Sequence, residues 1–120
     1  MLIQSESHEN LVIVRPQGDI SKSAAAELNE LLDTAIDDGA RLMVFDCSGL
    51  SHISSDGLKV LINTLRRLRD TDGRAVLSAV SGRVYSVMEV SGLMALMQAY
   101  DSTEVAIAAL SKENRHLDET

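Results

Sequence analysis

Residues 42–58 read Leu42-Met43-Val44-Phe45-Asp46-Cys47-Ser48-Gly49-Leu50-Ser51-His52-Ile53-Ser54-Ser55-Asp56-Gly57-Leu58. The first four form an unbroken apolar run of strand length, and a strand with no polar alternation is one covered on both faces, as in parallel sheets. From about Asp56 to Arg69 the period changes. Leu58, Leu61, Ile62, Leu65 and Leu68 fall on one helical stripe, and Lys59, Asn63, Arg66 and Arg67 fall on the other. A polar loop, Asp46 to Ser55, joins the two elements. Thr71-Asp72-Gly73 closes the helix, and Ala75-Val76-Leu77 supplies the next buried strand.

Working outward, the upstream sequence predicts a short strand at Leu2 to Gln4, a polar turn at Ser5 to Asn10, and a β-branched strand at Leu11 to Val14 stopped by Pro16 and Gly18. Helical spacing begins near Ser23, with Ala24, Leu28, Leu31, Leu32, Ala35 and Ile36 inward, Ser21 or Ser23 as the N-cap and Gly39 as the stop. Downstream, Val84 to Val90 reads as a third helix and Leu96 to Tyr100 as a weak last strand. Ser102 or Thr103 then caps a final helix carrying Val105, Ala106, Ala109 and Leu110, with Glu104 in its first turn. The order β-β-α-β-α-β-α-β-α predicts an α/β fold: one domain over 1–112 with a mixed, mostly parallel sheet, an antiparallel N-terminal hairpin and about four helices, followed by a polar C-terminal tail, 113–120. In such sheets, partners and ligands use the loops at the carboxyl ends of the strands, here Gly18 to Ser23, Asp46 to Asp56 and the turn at Ser81-Gly82.

The 120 residues carry 11 Lys and Arg against 18 Asp and Glu, a formal net charge of −7, and 45% are hydrophobic. A chain of this length buries enough apolar surface to fold without disulfides or a structural metal. Its negative field repels phosphate backbones and anionic membranes, so no nucleic acid and no membrane insertion are expected, and the partners sought are proteins or small ligands. A single cysteine, Cys47, excludes an internal disulfide and reads as a small buried hydrophobe. The opening MLIQSESHEN is polar where a signal peptide would be basic and then apolar, so a cytoplasmic location is expected.

Four serines crowd the loop between strand and helix. Ser54 is placed to cap the helix, which commits its oxygen to a backbone N–H of the first turn, whereas Ser55, at the first helical position, keeps its hydroxyl free. A phosphate on Ser55 would lie against the helix's unsatisfied N–H groups without unfolding their host. Serines in front of helices are usually caps and nothing more, so the cap alone does not make a regulatory site.

Beyond the loop, the sequence resembles the STAS domains, specifically the bacterial anti-sigma factor antagonists, over nearly its whole length. The resemblance lies in Gly18-Asp19-Ile20, in Leu50 to Leu58, in Ser81 and Met88, and in Ser91-Gly92-Leu93. Leu50 to Leu58 is similar to the family's phosphorylation loop, an Asp or Ser, the acceptor Ser, a small residue and then Gly-Leu. Ser55 matches the acceptor, with Ser54 as second choice. Two positions depart: Ser54 stands where several members carry Asp, and Asp56 where Ser, Ala or Thr is usual. The resemblance implies a partner switch without catalysis of its own. The unmodified protein binds an anti-sigma factor that is also a serine kinase, phosphorylation ends binding, and a metal-dependent serine phosphatase restores it. It implies a partner surface of Gly18, Asp19, Ser51, His52, Ser54, Ser55, Asp56, Lys59 and Arg66. The alternative is a non-phosphorylated STAS interaction or scaffold module of a transport or sensory complex.

Other features weigh less. His8, His52 and His116 are too dispersed for metal ligation, so no metal and no cofactor are expected. Ser55 and His52 lie three residues apart, but nothing in the sequence orients the imidazole and no GxSxG elbow surrounds the serine. Lys59, Arg66, Arg67 and Arg69 make a basic face that is either merely solvated or a guide for an acidic partner. Met43, Met88, Met94 and Met97 read as core filler.

Overall fold

A computed structural model describes residues 2–119, with side chains through Ser111. The elements run β1 (Leu2–His8), β2 (Leu11–Ile20), α1 (Lys22–Asp37), β3 (Leu42–Asp46), β4 (Leu50–Ile53), α2 (Ser55–Arg69), β5 (Arg74–Ser78), α3 (Gly82–Val90), α4 (Leu93–Leu96), β6 (Ala99–Tyr100) and α5 (Thr103–Glu119). The predicted mixed α/β architecture is present, with an antiparallel β1–β2 hairpin and parallel pairing everywhere else in the sheet order β1-β2-β3-β5-β6. The fourth strand, β4, pairs with the far end of β2 outside that order.

Strand alternation decides the layers. Val12, Val14, Met43, Phe45, Ala75 and Leu77 point to one face and bury against Leu28 and Leu32 of α1, Leu61, Leu65 and Leu68 of α2, Val84 and Met88 of α3 and Leu93 of α4. The intervening Ile13, Val44 and Val76 point to the other face and meet Ala106 and Leu110 of α5. Both faces of the central strands are therefore covered, which is why Leu42 to Phe45 shows no polar alternation. Met43, Met88 and Met97 are core residues, with Met94 packed against them.

Several predicted boundaries are corrected. The expected turn Ser5 to Asn10 is a turn only at Glu9-Asn10, because Ser5 to His8 pair in register with Val14 to Leu11. The side chains of this edge strand are mostly exposed, so no hydrophobic pattern announces it. Nor does β2 stop at Pro16. Its ladder with β3 ends at Val14 and its ladder with β4 begins at Gly18, so the proline, which has no N–H to donate, falls between the two. A five-residue last strand is also absent. Gly92, at φ +88°, turns the chain into the short helix α4, Met97 packs into the core, and only Ala99–Tyr100 join β5. That makes five helices among the described residues. Ser21 is the N-cap of α1, accepting from the Ala24 N–H at 3.3 Å, and the Ser102 hydroxyl accepts from the Val105 N–H at 3.2 Å at the start of α5.

Candidate functional site: the amino end of α2

The loop predicted between Phe45 and the second helix is where the sequence reading needs most revision, because it contains a strand. Leu50–Ile53 lies parallel to Gly18–Ile20, with Gly18 opposite Leu50, Asp19 opposite His52 and Ile20 opposite Ile53. A register shift separates Gly18 from Asp19, and Gly18 sits at φ +81°, a backbone that favours glycine. The Gly18 N–H donates to the Gly49 carbonyl at 2.8 Å, and the Ser54 N–H donates to the Ile20 carbonyl at 2.9 Å. These two bonds clamp both ends of β4 to the tip of β2.

That tip fixes where α2 begins. Ser54 has extended backbone at φ −79°, ψ 167°, and its hydroxyl accepts from the Gly57 N–H at 3.1 Å. It is the N-cap, and its oxygen is engaged. Ser55 follows as the first helical residue, with an exposed side chain. Asp56, half-buried, is the acidic residue of the first turn, where the helix dipole favours negative charge. Gly57 is buried, and a Cβ there would stand 2.8 Å from Ile20 Cγ2 and from Ile53 Cγ1. Only a residue without a side chain lets this turn of α2 lie so close to β2 and β4.

The expected partner residues gather on this rim. Asp19, Ser51, His52 and Ser55 are exposed, Gly18, Ser54 and Asp56 are half-buried, and Lys59 and Arg66 are exposed on α2. Arg66 is set apart, eleven residues from Ser55 and about 16 Å along the helix axis. Of the basic face, Arg67 is half-buried and tied to Asp33 and Asp37 of α1, and Arg69 donates to the Leu96 carbonyl at 3.3 Å. The reading that nothing orients His52 is overturned: its Nδ1 lies 2.9 Å from Asp19 Oδ1, a contact the parallel register creates across 33 residues of sequence.

A polar cluster beneath the loop was missed. Asp46 is buried, its Oδ1 accepts from the Ser48 N–H at 3.0 Å, and its Oδ2 accepts from Arg15 Nε at 3.3 Å. Burial opposes ionisation, but the hydrogen bonds from Ser48 and Thr103 and the charge of Arg15 outweigh it and hold the carboxyl below its usual range. Ser78, fully buried, shares a 2.7 Å bond with the Thr103 hydroxyl. The signal was an Asp at a strand end followed two residues later by a serine, a pattern that makes an Asx turn. Cys47 next to it is buried, and burial pushes its thiol up to about 12. Among the described residues no cluster of three or more His, Cys, Asp or Glu side chains could hold a metal ion.

The family model of the STAS domain matches residues 3–106, from β1 into α5. The chain belongs to the STAS domain family. Its relatives narrow this to the anti-sigma factor antagonists. BtrV of Bordetella bronchiseptica, assigned to them by its name, is 31% identical over 109 residues, which cover 91% of this chain and 94% of BtrV. The anti-sigma-B factor antagonist of Staphylococcus aureus is 28% identical over 103 residues, covering 86% of this chain and 95% of that protein. Among solved structures, the anti-sigma factor antagonist SpoIIAA in its unphosphorylated form superposes with a TM-score of 0.84 at 26% identity, covering 92% of this STAS domain chain and 97% of that one. The phosphorylated form of Bacillus SpoIIAA superposes with a TM-score of 0.74 at the same 26% identity, covering 91% and 99%. In this STAS domain no helix among the described residues is long and apolar enough to cross a membrane.

Proposed function

We propose that the protein is an anti-sigma factor antagonist that binds a kinase-type anti-sigma factor through the rim around Ser55 and is switched off by reversible phosphorylation of that residue. One observation carries the choice of residue. Of the two adjacent serines, Ser54 has its oxygen engaged by the Gly57 N–H, while Ser55 is exposed at the head of a helix. Two forms of the relative SpoIIAA, unphosphorylated and phosphorylated, support a modification of this kind. In the step itself the Ser55 oxygen attacks the γ-phosphorus of ATP, ADP leaves, and the hydroxyl proton passes to a base of the kinase. A phosphatase hydrolyses the ester to restore serine and release phosphate. The antagonist catalyses neither step and works in the cytoplasm, where sigma factors and ATP are.

The physical basis of the switch is local. Phosphate adds about −1.5 to −2 charges to the middle of a docking surface. A penalty of about 3–4 kcal/mol there lowers affinity a few hundredfold, enough to release the partner without remodelling the fold. The test is incubation with ATP and the kinase-type anti-sigma factor encoded nearest this gene, followed by mass spectrometric mapping. Phosphate at Ser55 is expected, with Ser55→Ala binding the partner constitutively and Ser55→Asp binding it poorly. Phosphate confined to Ser54 or to other residues, or none at all, refutes the reading.

A further inference from the structure

Lys59 is the cation nearest to Ser55 along α2. Four residues advance the helix by about 6 Å and turn it by about 40°, so the two side chains project from the same face one turn apart. Both are exposed. Among the described residues, Lys59 is in none of the ion pairs. The order is also the favourable one for an i,i+4 pair, with the acid N-terminal to the base, and the phosphate would sit at the helix start, where the dipole favours negative charge. Asp56 adds a second reason. It is three residues before Lys59 and immediately after Ser55, so a phosphate on Ser55 would put about three negative charges side by side at one helix start.

We infer that Lys59 is the counter-ion of the phosphorylated state, binding the Ser55 phosphoryl group on the helix's own surface. This rests on the proposed phosphorylation of Ser55 and adds a second consequence to it. Modification then does more than add negative charge, because it also withdraws Lys59 from whatever acidic group of a partner the free ammonium would meet. The rim around Ser55 thus becomes more negative and loses its unpaired cation. The same lysine lets the chain carry Asp56 beside the acceptor. Other charged groups on the elements around this rim include the Asp19–His52 pair on β2 and β4, Lys22 at the start of α1, and Arg83 and Glu89 on α3, which packs against β4.

The test uses the whole chain with phosphoserine introduced at position 55 during translation, so that it does not depend on any kinase. Phosphorus NMR follows the second ionisation of the phosphate with pH. With Lys59 present the dianion is favoured, so Lys59→Met raises the midpoint by about 0.3 unit, as an i,i+4 pair on a helix surface implies. Lys59→Arg restores the wild-type midpoint, and the difference shrinks in about 1 M salt. A midpoint unmoved by Lys59→Met, or moved equally by Lys59→Arg, overturns the inference and leaves the phosphorylation reading standing. A kinase that fails to modify Ser55, together with the expected NMR shift, refutes phosphorylation as the natural switch while upholding the chemistry of Lys59.

Discussion

Two neighbouring serines, alike in sequence, should respond oppositely to the same substitution. In Ser54→Ala the hydroxyl that accepts from the Gly57 N–H at 3.1 Å is lost, and that donor, on the buried Gly57, is left without this partner. Loss of an N-cap of this kind costs about 1 kcal/mol. For a domain of this size the melting temperature then falls by roughly 3–6 °C. Ser55→Ala removes an exposed hydroxyl and substitutes the residue with the highest helix propensity, so stability stays within about 0.5 kcal/mol of wild type. Thermal and urea unfolding followed by circular dichroism measure both. The functional readouts should be reversed: Ser54→Ala is still phosphorylated, whereas Ser55→Ala is not. Equal stability losses, or a larger loss in Ser55→Ala, would mean that Ser55 rather than Ser54 holds the helix start, and the assignment of roles would collapse.

Gly57→Ala forces a Cβ to within 2.8 Å of two isoleucine side chains and should destabilise by about 1–2 kcal/mol net of the gain in helix propensity; an unchanged urea midpoint refutes the close packing of α2 on β2 and β4. The Cys47 thiol, buried and pushed up to about 12, should resist alkylation at pH 8 in the native protein and react fully once it is denatured. The Asp46 carboxyl titrates lower in the folded chain than in the unfolded one. Its contribution is therefore complete above the ordinary value of 3.8 and is lost as the pH falls through the depressed folded value. Asp46→Asn should lower stability at pH 7 and flatten the acid limb of the stability profile, and an acid limb unchanged from wild type counts against the ionised, hydrogen-bonded carboxylate.

The layered fold was legible because its central strands are buried on both faces and its helices are amphipathic. Leu42 to Phe45, Ala75 to Leu77 and the stripe from Leu58 to Leu68 each contain the pattern of their own surroundings. The start of α2 was legible for a similar reason, since cap chemistry is local and Ser54 needs only its next three residues. What escaped the sequence depends on partners far away in the chain. The four residues of β4 show the burial order buried, exposed, exposed, buried, which matches neither strand alternation nor a helix, and they become a strand only because the tip of β2 is free to receive them. The Asp19–His52 contact follows from that pairing and is invisible without it. Pro16 looked like a stop because the two ladders that make it harmless cannot be seen from one strand.

The change of partner along β2 has a mechanical consequence. Its first half is bonded to the centre of the sheet, and its last three residues are bonded to a four-residue ribbon that carries the head of α2. Disturbance at the rim is therefore taken up by a few hydrogen bonds at the fork, and the strands behind it stay in place. Amide protons at Ser54 and Gly18 should accordingly exchange faster than those of Val44 and Val76, giving the protein a yielding fingertip on a stiff hand.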